Sequence, residues 1–244
     1  MVKRTGETWL GPTGNGVGAE FSMQAEKGSR PTVFAVDDDV AMRELVARML
    51  EPLDVGVRMF DSAESYLIAH DQRHAGCLLL DMKLPGMDGM SLLHILTSRG
   101  STLPVIFLTG YGDVGSARQA LISGATDFLQ KPVDRGTLLD SVRRALEIDR
   151  ERRRSWAIAS RLTHLTPREW EVMRLVVAGQ ANKVIGANLG ISQKTVEAHR
   201  ARVMAKACAD SVADLVRMFS TLETMSGDPR AGRRDADLVW RRAQ

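Results

Sequence analysis

The sequence predicts a doubly wound α/β domain with a five-stranded parallel sheet, followed by a second, all-α domain. Three observations carry that expectation. From Thr32 onward, short apolar runs of strand length alternate with amphipathic helical stretches. From Leu165 the pattern becomes purely helical. The net charge of +3 also divides unevenly, with 11 Lys/Arg against 15 Asp/Glu over 32–146 and 13 against 9 over 162–244. An acidic first part and a basic second part fit a cation or phosphate site joined to a nucleic-acid surface.

The first 31 residues contain six glycines and no periodic pattern, so 1–31 is expected to be a flexible tail, and Met23 is a candidate alternative start. Strands are expected at 32–36, 55–59, 77–80, 104–108 and 127–129. Helices are expected at 39–50, 62–70, 89–98 and 113–123, with a fifth from about Asp134. In such sheets both faces are covered by helices and ligands sit at the carboxyl ends of the strands. This domain is assigned 32–148. The apolar stripe of the fifth helix, Leu138, Leu139, Val142, Ala145 and Leu146, stops at the charged run DRERRR of 149–154. Residues 149–161 are therefore read as a solvated helix extension or linker.

In the second domain, assigned 162–225, the run LTPRE at 165–169 combines an N-cap threonine, proline at the first helical position and glutamate at the third, a capping box. Helices are expected at 166–178, 183–189, 192–207 and 211–220. Gly190 supplies the tight turn of a helix-turn-helix. Residues 226–244 form a Gly-, Asp- and Arg-rich tail in which Leu238 to Trp240 could dock.

No apolar run approaches the roughly 18 residues of a membrane span, and the N-terminus lacks a signal-type apolar core. A cytoplasmic protein without membrane attachment is expected. Cys77 and Cys208 are too few for a disulfide framework and read as small buried hydrophobes.

Placed on this sheet, Asp37 and Asp38 follow the first strand, Asp81 ends the third, Thr109 ends the fourth and Lys131 follows the fifth. All fall on one edge. Crowded carboxylates need a cation, and an oxygen-rich site suits Mg²⁺. Lysine offers a compact charge to an anion and the threonine hydroxyl a hydrogen bond. Asp39 reads as a helix N-cap. Singly, Asp37 and Asp38 could merely favour the helix dipole, and Thr109 could be a turn residue before Gly110.

The runs VDDD at 36–39, LDMKLPGMDG at 80–89, LTG at 108–110 and KP at 131–132 resemble the flavodoxin-like receiver domain of two-component response regulators, from 32 to about 150. The resemblance implies that Asp81 accepts a phosphoryl group from a sensor histidine kinase. It implies a Mg²⁺ ion held by Asp37, Asp38, Asp81 and the backbone carbonyl of Lys83. Lys131 would pair with the phosphoryl oxygens, Thr109 would sense the group, Phe128 would be the aromatic switch, and the Lys131–Pro132 bond would be cis. An aspartate-nucleophile phosphatase of the haloacid dehalogenase type is the enzyme alternative. It usually carries a second aspartate two residues after the nucleophile, where this chain has Lys83.

Wound as a helix, 192–207 places Val196, Val203 and Ala207 on one face, flanked by His199 and Arg200. The opposite face carries Lys194, Glu197, Ala198, Ala201, Arg202 and Ala205, small residues between charged ones, as a major-groove helix requires. The motifs LTPRE, NK at 182–183, LGIS at 189–192 and KTVEAHR at 194–200 resemble the LuxR-type helix-turn-helix over about 162–219. The resemblance implies phosphate contacts from Lys194, Arg200, Arg202 and Lys206, and base edges facing Glu197, Ala198 and Ala201. The last helix either dimerises on DNA or is plain core. The link at Cys208 and the tryptophan at 170 depart from the family pattern. The texture of 109–114, 124–128 and 196–206 is similar to the FixJ-like branch. It implies a regulator that dimerises on phosphorylation, binds promoter DNA and acts on RNA polymerase. A DNA-binding regulator indifferent to phosphorylation is the other reading.

Overall fold

The computed structural model describes residues 30–71, 74–110 and 114–227. Nearly all of the expected N-terminal tail, with Met23, and the C-terminal tail beyond Gly227, with Leu238 to Trp240, lie outside the described residues.

The elements run β1 (Thr32–Val36), α1 (Val40–Leu50), β2 (Gly56–Phe60), α2 (Ala63–Ala69), β3 (Gly76–Asp81), α3 (Gly89–Ser98), β4 (Val105–Thr109), α4 (Val114–Ile122), β5 (Asp127–Gln130) and α5 (Arg135–Leu162). Four further helices follow: α6 (Pro167–Val177), α7 (Asn182–Leu189), α8 (Gln193–Ala207) and α9 (Val212–Gly227). The strands form one all-parallel sheet of order β2-β1-β3-β4-β5.

Because side chains alternate along a strand, each strand feeds two cores. Val33, Ala35, Cys77, Leu79, Ile106 and Leu108 point to the face covered by α1 and α5. Phe34, Val36, Leu78, Leu80 and Phe107 point to the face covered by α2 and α3. Six buried residues in succession make β3 the sheet's central strand, which is why its sequence reads as a continuous apolar run. Helix starts are fixed by side-chain caps: Asp39 accepts from Ala41 N–H, Ser62 from Ser65, Asp88 from Ser91 and Asp134 from Thr137.

A third core joins the end of α5 to α6–α9 through Ala159, Leu162, Trp170, Met173, Ile185, Val196, Val203 and Leu215. The capping box at Thr166 and Glu169 is formed in both directions. Gly190 ends α7 in the left-handed conformation, φ 66°.

Two expectations are corrected here, and one open alternative is decided in favour of a helix extension. Residues 149–161 are an unbroken part of the 28-residue α5, and Asp149 within them is buried. The charged run conceals a packed helix because its anchors are polar. Helix α9 continues to Gly227, past the expected helix end at 220. Cys77 is buried but Cys208 is exposed: it caps α8 in the left-handed conformation, φ 52°, which turns its side chain outward. Trp170, without an assigned role in the sequence, is a core residue of the helical part.

Candidate functional site

The strand order places the switch between β1 and β3 at the centre of the sheet, and the crevice beyond their carboxyl ends is where such sheets bind ligands. Register makes the grouping exact. Val36 pairs with Leu80, so Asp37 emerges beside Asp81. Asp81 pairs with Leu108, so Thr109 stands one residue beyond it on β4. Thr109 pairs with Gln130, and its carbonyl accepts the N–H of Lys131 at 2.8 Å, which holds the lysine at the crevice.

The Lys131 ammonium donates to Asp37 Oδ2 at 2.6 Å and to Asp81 Oδ2 at 2.5 Å. Both carboxylates are buried, whereas Asp38 is exposed. One carboxylate oxygen from each of Asp37, Asp38 and Asp81 lies within 4.8 Å of the others. Octahedral Mg²⁺ ligands at about 2.1 Å would stand roughly 3 Å apart when adjacent and 4 Å when opposite, so side-chain adjustments of under an ångström bring these three around one small hard cation. Charge points the same way, since three carboxylates against one ammonium leave a deficit that a divalent ion would fill. The orientation of the next residues is also set locally: Lys83 N–H donates to Asp81 Oδ1 at 3.1 Å.

Electrostatics follow from this crowding. Burial pushes the Asp37 carboxyl up, and the hydrogen bond from Lys131 only partly opposes it. Burial works against the Lys131 charge, but the hydrogen bonds and charges of Asp37 and Asp81 outweigh it and leave the ammonium pKa raised. A lysine held charged between two carboxylates is ready to meet a further anion. Thr109 is almost fully buried at the strand end. Phe128 is half-buried on β5, paired with Phe107 and packed on the α2/α3-side core. The Lys131–Pro132 peptide is cis.

Sequence reasoning missed two supporting residues. Arg43 on α1 donates to the Asp37 carbonyl, and Glu64 on α2 accepts from Met87 N–H at 2.9 Å, bracing the loop that follows Asp81. Both read as ordinary surface charges in sequence, because the contact is made across elements. Gly89 allows that loop to close: a Cβ there would meet the Asp81 carbonyl oxygen at 2.3 Å.

In the helical part, Val196, Val203 and Ala207 of α8 are buried, and Lys194, Glu197, Ala198, Ala201, Arg202 and Ala205 are exposed. The expected outward face is therefore formed. Two of the residues expected at phosphates also make contacts within the domain. Lys206 Nζ lies 2.6 Å from Oε2 of buried Glu169. Lys206 thereby serves as the counter-ion of the α6 capping box, since a buried carboxylate needs its partner. Arg200 Nη1 donates to Asn182 Oδ1 at 2.6 Å, tying α8 to the start of α7.

The comparisons agree with this construction. Residues 33–143 match the response regulator receiver domain, and 163–219 match the bacterial regulatory proteins of the luxR family. The transcriptional regulatory protein TdiR of Thauera aromatica is 41% identical over 80% of this chain and 88% of its own length. FixJ of Bradyrhizobium diazoefficiens is 37% identical over 76% and 93% respectively. The solved structure of the response regulator StyR superposes with a TM-score of 0.64 at 37% identity, covering 79% of this chain and 99% of that one. Sheet order, converging strand-end residues and helix-turn-helix thus join with similarity over about four-fifths of the chain: it belongs to the FixJ-like two-component response regulators, DNA-binding regulators rather than enzymes acting on a separate substrate.

Proposed function

We propose that Asp81 accepts a phosphoryl group from a partner histidine kinase and that the modified chain dimerises and binds promoter DNA through α8. The observation that carries the reading is Lys131 held at 2.5 Å from Asp81 and 2.6 Å from Asp37 in a pocket with excess negative charge. Asp37, Asp38, Asp81 and the Lys83 carbonyl would hold Mg²⁺, which when bound supplies charge neutralisation for the transferring group. An Asp81 oxygen attacks phosphorus, the P–N bond to the kinase imidazole breaks, and an acyl phosphate forms. Lys131 exchanges one carboxylate contact for a phosphoryl oxygen. Buried Thr109 then offers its hydroxyl to the same group, and Phe128 repacks beside it, altering the surface of α4, β5 and α5. That surface carries dimerisation.

On α8, Lys194 and Arg202 contact phosphates, while Glu197, Ala198 and Ala201 face base edges. RNA polymerase at the promoter is the final partner. The division into 32–148, 149–161 and 162–225 serves this scheme as receiver, connector and DNA reader, with action in the cytoplasm. Among the described residues no helix is long and apolar enough to cross a membrane.

Intact-protein mass after incubation with Mg²⁺ and a small phosphoryl donor tests the chemistry. Wild type is expected to gain a single phosphoryl group, and Asp81→Asn none. Uptake by Asp81→Asn would move the acceptor elsewhere. Promoter regulation unchanged by Asp81→Asn in cells would leave the phosphorylation-independent reading.

A further inference from the structure

At the opposite edge of the sheet from Asp81, helix α5 carries a buried carboxylate that the phosphoryl chemistry does not use. Asp149 is 3% exposed. Its Oδ2 accepts the N–H of Gly76, the first residue of β3, at 2.9 Å, and Arg153 Nε at 2.8 Å. Arg153 also donates to the His74 carbonyl. Arg152 Nη1 donates to the Thr102 carbonyl at 2.8 Å. The carboxylate faces Cys77, whose thiol is pushed up first by burial and then by the Asp149 charge. Three side chains within five residues of α5 thus grip the two loops that enter β3 and β4.

Their position makes them more than ordinary packing. Helix α5 has 28 residues, about 42 Å at 1.5 Å per residue. Its first half is buried on the sheet through Leu138, Val142 and Ala145, and its end enters the helical core through Ala159 and Leu162. Between these, 150–158 contains no buried residue. Arg150 and Arg154 are like charges at i, i+4 spacing, partly offset by the exposed Arg150–Glu147 pair. Apart from Ile158, no side chain of this stretch joins either apolar core, so apolar packing does little to keep it helical. Asp149 moreover has its Oδ1 buried without a hydrogen-bond partner among the described residues. A buried, half-satisfied carboxylate is a poor way to add stability and needs another explanation.

We infer that Asp149, Arg152 and Arg153 form a clasp that makes α5 a rigid strut, so that the receiver sets the position of the DNA-binding helices. They are positioning residues. The strand they seize, β3, ends at Asp81 six residues on, so one short strand connects the phosphoryl acceptor to the strut. Releasing the clasp turns 150–158 into a hinge and uncouples DNA binding from the receiver. The uncoupling half of this inference rests on phosphorylation at Asp81.

Hydrogen exchange on the full-length unmodified chain tests the strut without that assumption. Asp149→Asn keeps an acceptor for Gly76 but loses the ion pair. Arg152→Met and Arg153→Met leave the buried carboxylate in place and cover the case in which Asp149→Asn fails to fold. Each variant is expected to exchange roughly tenfold faster over 150–158, with the sheet and α6–α9 unchanged. Unchanged exchange over 150–158 would overturn the strut, and faster exchange everywhere would reduce Asp149 to a general stability residue. In the second arm, phosphoryl uptake is checked by mass and DNA affinity is compared with and without the donor. Normal uptake with the donor's effect on affinity reduced roughly fivefold or more would support coupling through the clasp. Normal uptake with that effect intact would overturn it. Absent uptake in wild type, from the small donor and from a partner histidine kinase alike, would instead refute phosphorylation at Asp81, and the exchange experiment would still decide whether α5 is a strut.

Discussion

Lys131 and Lys206 show how one residue type serves two purposes according to what it faces. Lys131 is shared between two carboxylates in a pocket that remains short of positive charge, and its contacts are exchangeable for an incoming anion. Lys206 is matched one-to-one with Glu169, whose second task is capping α6. Burial opposes the Glu169 charge, yet the Lys206 ammonium and the Thr166 N–H hold its carboxyl below the ordinary value of 4.5. A folded-state pKa depressed in this way stabilises the protein above pH 4.5, and the gain disappears as pH falls through the lowered value. Lys206→Met is expected to cost about 2 kcal/mol at pH 7, between the worth of an exposed pair and the cost of stranding a fully buried charge. Urea unfolding at pH 7 and below pH 4 would measure it, and the gap between wild type and variant should narrow in acid. The same variant should leave the salt dependence of DNA binding nearly unchanged, because Lys206 is engaged inside the domain.

Among the elements, the α7–α8 turn is closely packed. Gly190 takes the left-handed conformation that glycine adopts freely. Gly186, one turn earlier, packs so closely that a Cβ would lie 2.7 Å from the Ile191 carbonyl oxygen. Alanine at 186 would gain about 1 kcal/mol of helix propensity, but its methyl must displace backbone, and overpacking typically costs about 1–3 kcal/mol. Gly186→Ala is therefore expected to lower the melting temperature and to weaken DNA binding by tilting α8, both measurable on the purified chain. Legibility in the sequence differed by element. The central strand β3 and the capped helix starts were readable, since an apolar run and an Asp, Ser or Thr cap are local signals. For α5 beyond 148 the sequence left helix extension and linker both open. Its continuation is held by Asp149, Arg152 and Arg153 reaching loops some 50 to 80 residues earlier, and periodicity of apolar residues cannot register polar anchors.

For the whole molecule, the proposed DNA face of α8 makes two separable charge predictions. DNA affinity should fall steeply with salt, and each phosphate contact removed should reduce the log–log slope by about 0.9. Arg202→Ala is expected to weaken all sites alike with such a loss of slope. Glu197→Ala is expected to change base preference instead, read by binding-site selection. Equal, sequence-independent losses for both would mean that α8 lies in the groove on a different face.

By itself, the sequence determined the class of the fold and the membership of the candidate phosphoryl site. Hydrophobic periodicity orders the strands and helices, and strand ends of a parallel sheet must share an edge, so Asp37, Asp38, Asp81, Thr109 and Lys131 were bound to meet. Only the tertiary structure decided which charges are spent inside the protein. Lys206 belongs to Glu169, Arg200 to Asn182, and Asp149 to Gly76 and Arg153. Those pairings depend on distances between elements far apart in the chain, and a charge in a sequence carries its sign but not its partner.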